Sequence, residues 1–175
     1  IARNVDSKAM NLLRQGKTFF HIAGAGHEAV QLAIGLSLDP KKDWLFPYYR
    51  DLATVLTAGV TPEEVFLGTF GKAADPASGG RQLPVHWGSS RINIPSQSSP
   101  TGTQFLQAVG TALASVKRGE RNISYVSSGE GTTSQGEFHE AVNWASREKL
   151  PVLFVIQNNK YAISVHVSNQ TGGKE

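Results

Sequence analysis

Cysteine is absent from the 175 residues, which excludes a disulfide framework, a thiolate zinc site and a cysteine nucleophile. Charge is sparse as well: 17 basic against 14 acidic side chains, a net +3. No run of Lys or Arg exceeds two, so the pI near 9.3 reflects a thin excess and no nucleic-acid partner is expected. The five histidines lack the H-x-x-x-H spacing of a helical zinc site. No stretch approaches the ~20 consecutive apolar residues of a membrane span, so no membrane association is expected. The start at Ile1 shows no signal-peptide pattern, and the stop at Gly172-Gly173-Lys174-Glu175 suggests a piece of a longer polypeptide. What is present, 39% hydrophobic residues, fits one domain over 1–175 that buries roughly two-thirds of its unfolded surface.

Apolar spacing predicts helices over 4–16, over a segment with Val30, Ala33, Ile34 and Ser37 on one face, and over 51–58. Trp44-Leu45-Phe46 reads as a short strand ended by Pro47. Thr61-Pro62-Glu63-Glu64 is a helix start with a capping box, followed by an apolar face of Val65, Phe66 and Phe70. Residues 71–101 have no period; a loop of about 30 residues is uncommon unless functional, and Leu83-Pro84-Val85-His86-Trp87 argues for an ordered one. A helix is expected over 102–117, ended at Gly119.

The last third reads as a βαβ unit. Strand 123–127, a turn at Ser128-Gly129-Glu130-Gly131-Thr132, a helix over 134–148 facing inward with Phe138, Ala141, Val142 and Ala145, and a fully buried strand 151–156 follow in order. The two strands should be parallel with a right-handed crossover. Ligands bind beyond the carboxyl ends of such strands, where Glu130 and Asn159 fall. A carboxylate and an amide oxygen are hard ligands suited to Mg²⁺ or Ca²⁺, and Gly129 and Gly131 allow close approach of an anion to the backbone. A metal-bridged diphosphate is the natural occupant.

Gly-x-Gly followed 25–30 residues later by Asn-Asn is the signature of thiamine diphosphate enzymes. Gly129-Glu130-Gly131-Thr132-Thr133-Ser134-Gln135-Gly136-Glu137 and Asn158-Asn159-Lys160-Tyr161-Ala162-Ile163-Ser164 resemble the alpha subunit of the decarboxylating component of 2-oxo acid dehydrogenase complexes. Phe46-Pro47-Tyr48-Tyr49-Arg50-Asp51, Gly80-Arg81-Gln82-Leu83-Pro84-Val85-His86 and Ser98-Ser99-Pro100 fall in that family's order. The family usually has Asp where this chain has Glu130. Branched-chain members are similar in using Glu there, and in Pro84-Val85-His86 and Ser98 to Gln104, which favours a branched-chain substrate over pyruvate.

The resemblance implies an α/β thiamine-diphosphate-binding fold, with a central parallel sheet flanked by helices. It implies that Glu130, Asn159 and the Tyr161 carbonyl hold Mg²⁺, and that Gly131 and Thr132, beside Gly129, offer backbone N–H groups to the diphosphate. Tyr49 and Arg50 would contact the terminal diphosphate oxygens, Phe20 would line the cofactor site, and Ser99 and the Thr101 backbone would meet the aminopyrimidine. His86 would be the catalytic residue near the substrate carboxylate. Ser98, Pro100, Thr103 and Gln104 match a loop that holds potassium in branched-chain relatives. His27 and Glu28 are expected to serve folding or subunit contacts.

The implied reaction is oxidative decarboxylation of a 2-oxo acid with acyl transfer to a lipoyl domain. The implied partners are a beta subunit or fused beta domain that completes the site, in an alpha2beta2 assembly, and a lipoyl-bearing acyltransferase component. The implied location is the cytoplasm, or the mitochondrial matrix in a eukaryote. This chain alone would be catalytically silent. Two rivals remain at this stage: a non-catalytic scaffold subunit, and a nicotinamide-binding oxidoreductase suggested by Gly24-Ala25-Gly26-His27-Glu28-Ala29. The second requires a further strand ending in an acidic residue about 20 positions on; Asp43 is near that spacing, but Pro40-Lys41-Lys42 precedes it and no strand does.

Overall fold

The computed structural model describes residues 1–170 and 172. Of the terminal stretch named above, Gly173, Lys174 and Glu175 lie outside the described residues. The chain forms two compact units, Ile1–Gln97 and Ser98–Glu175.

In the first unit, α1 (Ala2–Arg14) turns Val5, Ala9 and Leu12 inward together with one carboxylate, Asp6. α2 (Glu28–Ser37) and α3 (Leu52–Ala58) pack on each other. They approach so closely that a Cβ on Gly35 would stand 2.6 Å from Thr57 Cβ. This contact rotates α2 away from the expected face. Gln31, Ile34 and Gly35 are buried, whereas Ala33 and Ser37 are exposed and Val30 keeps 45% of its surface.

Thr61 and Glu64 form the expected capping box at the start of α4 (Pro62–Thr69). Its buried residues are Val65 and Thr69, not Phe70, which stays 41% exposed. The strand β1 (Trp44–Phe46) is fixed by Leu45 N–H donating to the Asn93 carbonyl at 3.0 Å. Residues 71–97 contain only a 3-10 turn (Ser90–Ile92) and a bridge between Ser89 and Ile94, yet they bury Val85, Trp87, Ile92 and Ile94. Trp87 Nε1 donates to the Tyr48 carbonyl at 2.9 Å. Asp75 accepts from the backbone of Ala77, Ser78 and Gly80. The long segment is ordered by these bonds rather than by regular structure.

The second unit carries α5 (Thr103–Lys117), β2 (Ser124–Gly129), α6 (Gly136–Glu148) and β3 (Val152–Gln157). β2 and β3 are parallel, in a register that runs from Ser124 opposite Val152 to Gly129 opposite Gln157. α6 is the crossover, and α5 packs on both strands. Phe105, fully buried, stacks edge-on with Phe138 at 5.1 Å and tilts against Phe154 at 6.2 Å. The α/β expectation is borne out. Two faces differ from it: Val142 on α6 is 38% exposed and Leu153 on β3 is 41% exposed. Among the described residues β3 pairs on one edge only, so its apolar run is not enclosed on all sides. A two-stranded hairpin, β4 (Tyr161–Ala162) with β5 (Val165–His166), follows.

Candidate functional site

In the second unit the βαβ register decides what meets. Glu130 leaves the carboxyl end of β2 one residue after Gly129, whose partner across the sheet is Gln157. Asn158 and Asn159 leave β3 just beyond Gln157, so the crossover brings Glu130 and the Asn pair to one sheet edge. Glu130 is 8% exposed, and its Oε1 is buried with no hydrogen-bond partner among the described residues. A buried carboxylate oxygen without a partner is costly and calls for a cation or donor. Asn159 Oδ1 accepts from Tyr161 N–H at 2.9 Å, and Asn158 Oδ1 accepts from Lys160 N–H at 2.7 Å. These turns hold both amides in place, and each carbonyl oxygen keeps a second lone pair.

Among the described residues no three His, Cys, Asp or Glu side chains gather to hold a metal. An ion here would therefore rest on one carboxylate, an amide oxygen and a main-chain carbonyl. Such oxygens fit a hard divalent ion that retains waters or phosphate ligands.

Residues Glu130–Ser134 form a 3-10 turn, closed by Thr133 Oγ1 donating to the Glu130 carbonyl at 2.7 Å. Gly131 is not required for a left-handed backbone. A Cβ there would lie 2.5 Å from Ala162 Cβ, so the hairpin and the turn can touch only through glycine. Thr132 is buried beside it. Tyr161 is exposed, with its ring edge-on to His166 at 5.1 Å.

Ser99 and Thr101 are exposed at the entry to α5. In the potassium-loop candidate, Thr103 Oγ1 donates to the Pro100 carbonyl at 3.1 Å. Gln104 spans Gly102 N–H (3.2 Å) and the Ser127 carbonyl (3.1 Å). These side chains brace the loop.

In the first unit, Arg50 Nη1 donates to the Ala23 carbonyl at 2.7 Å, and its guanidinium lies 5.5 Å from the Tyr49 ring centre. Phe20 is half-buried on the 19–24 segment. His86 is half-buried and its Nδ1 lies 3.2 Å from the Pro84 carbonyl. A carbonyl only accepts, so Nδ1 carries the proton and Nε2 of the neutral ring is an acceptor.

The dinucleotide fingerprint at Gly24 lacks its context. No described residue before Gly24 is in a strand, and Asp43 is a buried residue preceding β1 whose Oδ2 accepts from Asp39 N–H. Glu28, at the start of α2, pairs with Arg3 at the surface. The hydrogen bond from Arg3 leads in holding its carboxyl at about 2, and Gly26 N–H contributes.

Three polar residues escaped the sequence reading. His21 Nε2 and Asp6 Oδ1 lie 3.0 Å apart, both side chains nearly enclosed, and Asp6 Oδ2 accepts from Gly24 N–H. Gln31 is buried in α2. The signal for Gln31 was a polar residue one turn before Ile34 on a helix otherwise apolar there; Asp6 and His21 are too far apart in sequence to announce each other.

The dehydrogenase E1 component family matches residues 1–175, and the chain belongs to it. That family has the thiamine-diphosphate-binding fold, which bears out the resemblance read from the motifs. The chain is 45% identical over 170 residues to 2-oxoisovalerate dehydrogenase subunit alpha of Bacillus subtilis, covering 97% of this chain and 52% of that one. It is 40% identical over 159 residues to the mitochondrial 2-oxoisovalerate dehydrogenase subunit alpha 1 of Arabidopsis thaliana (90% and 33% covered). It is 38% identical over 172 residues to pyruvate dehydrogenase E1 component subunit alpha of Staphylococcus aureus (98% and 44% covered). The chain thus spans about half the length of the curated relatives it matches, or less.

Proposed function

We propose that this chain is a single thiamine-diphosphate-binding domain of a longer alpha subunit, and that it supplies the diphosphate and metal ligands for oxidative decarboxylation of a 2-oxo acid. The observation that carries the reading is Glu130 Oε1, buried without a hydrogen-bond partner among the described residues at the carboxyl end of β2, with Asn159 just beyond β3 on the same edge. Glu130, Asn159 and the Tyr161 carbonyl hold Mg²⁺; Gly131 and Thr132 direct backbone N–H groups at the diphosphate, next to Gly129. Tyr49 and Arg50 bind its terminal oxygens, for which a guanidinium fork is suited. Phe20 lines the cofactor site, and Ser99 and the Thr101 backbone orient the aminopyrimidine. Bound thiamine diphosphate supplies a carbon nucleophile and an electron sink for loss of carbon dioxide. His86, its Nδ1–H held by Pro84, presents Nε2 to take or give a proton beside the substrate carboxylate.

Glu130 and the relatives named for 2-oxoisovalerate support a branched-chain 2-oxo acid over pyruvate. The acyl group passes to a lipoyl-bearing acyltransferase component. A beta subunit or fused beta domain completes the site in an alpha2beta2 assembly, in the cytoplasm or mitochondrial matrix. Potassium is a further ligand of the Ser98–Gln104 loop. The test is carbon dioxide release by the full-length protein with its beta partner, offered pyruvate, 2-oxoglutarate and branched 2-oxo acids with Mg²⁺ and thiamine diphosphate. Branched acids should give the highest kcat/KM, and this chain alone should give none. No turnover of any of the three, or none dependent on the cofactor, overturns the reading.

A further inference from the structure

The Gly24–Ala29 motif and α2 behind it have no part in the cofactor site as proposed, yet their contacts converge on one backbone position. The Arg50 carbonyl accepts from Gln31 Nε2 at 2.8 Å. The same oxygen lies 2.3 Å from where a Cβ on Gly24 would stand, so no larger residue fits beneath it. Gly24 is itself held by Asp6 Oδ2 at 3.0 Å, and the neighbouring Ala23 carbonyl receives the Arg50 guanidinium at 2.7 Å. At the other end of the Gln31 amide, Oε1 accepts from Ala53 N–H at 3.0 Å.

Gln31 is 1% exposed. A carboxamide satisfied at both ends in so dry a place has one orientation, because no water can replace either bond. It spans the turn that leads from Arg50 into α3. An arginine fork loses less freedom on binding a diphosphate when its direction is already fixed.

We infer that Gln31, with Gly24 beneath the same oxygen, is a positioning residue that presents Arg50 to the diphosphate. This rests on the role proposed for Arg50. The experiment is a double-mutant cycle on the full-length protein assembled with its beta partner. Thiamine diphosphate is titrated by calorimetry at fixed Mg²⁺ into wild type, Gln31→Met, Arg50→Ala and the double variant. Gln31→Met keeps the shape and removes both bonds, so its Kd should rise roughly three- to tenfold, the range of one net hydrogen bond. The double variant should bind as Arg50→Ala does, because Gln31 acts through Arg50.

Where Gln31→Met does not fold, Gln31→Leu repeats the cycle, since it likewise makes neither bond and buries no charge. Wild-type Kd in the Gln31 variant beside a weakened Arg50→Ala overturns the inference and leaves the site standing. Losses that add in the double variant overturn it too, since a general loosening of the fold would add. Wild-type Kd in Arg50→Ala overturns the reading beneath it.

Discussion

Replacing Glu130 with Gln should change stability in opposite directions with and without ligand. In the metal-free protein, Glu130 Oε1 is buried with no hydrogen-bond partner among the described residues. An unsatisfied buried polar atom costs about 1–3 kcal/mol, more when charged. Gln has the same shape without the charge, so Glu130→Gln should stabilise the metal-free protein by about 1 kcal/mol. With Mg²⁺ and thiamine diphosphate at 100 times Kd, wild type gains about 2.7 kcal/mol by linkage. The variant should gain little, because the amide offers the ion no charge. The order of stabilities therefore reverses on loading. Urea unfolding of both full-length proteins, in chelator and then in Mg²⁺ with cofactor, reads the two differences directly. A variant less stable than wild type in chelator would falsify the idea that Oε1 waits for a cation. Equal gains on loading would remove Glu130 from the ligand set.

Other outcomes are expected. Arg50→Lys keeps the charge but loses the fork, and calorimetry should show weaker binding of thiamine diphosphate; unchanged affinity would make Arg50 a structural residue. Gly131→Ala places a Cβ 2.5 Å from Ala162, so amide exchange in the β4–β5 hairpin should rise; unchanged protection would refute the contact. Phe105→Ala empties the centre of the Phe138 and Phe154 cluster and should cost about 3–5 kcal/mol on urea unfolding. The Glu28 carboxyl, depressed to about 2 by Arg3, adds stability that is fully present above its ordinary value of 4.5 and is lost as pH falls toward 2. Its NMR titration should move up in Arg3→Ala and at high salt.

The readable parts of this chain are those whose cause is local. The Thr61 and Glu64 cap and the strand–turn–helix around Glu130 depend on neighbours a few residues away, and both stand where the sequence puts them. What was misread depends on distant partners. Val30 looked buried by its spacing, but Gly35 against Thr57 and Gln31 against Arg50 turn α2 the other way. The apolar run of β3 says that its faces prefer burial, not what covers them; Leu153 is exposed among the described residues. Gly24 matched a dinucleotide motif by its letters, while its physical reason is the Arg50 carbonyl.

The parallel crossover would also tie affinity for the proposed metal to chain closure. Glu130 and Asn159 become neighbours only when β3 has docked beside β2 through α6. Closing a loop of about 30 residues costs on the order of 3 kcal/mol of chain entropy. An ion bridging both residues can therefore bind only after that entropy has been spent, and it cannot act as an early nucleus. With such an ion bound, its dissociation would report on the crossover, because each transient parting of β3 from β2 would separate the two proposed ligands. Changes on the buried side of α6, such as Ala141→Gly, touch no ligand and should still shorten the ion's residence.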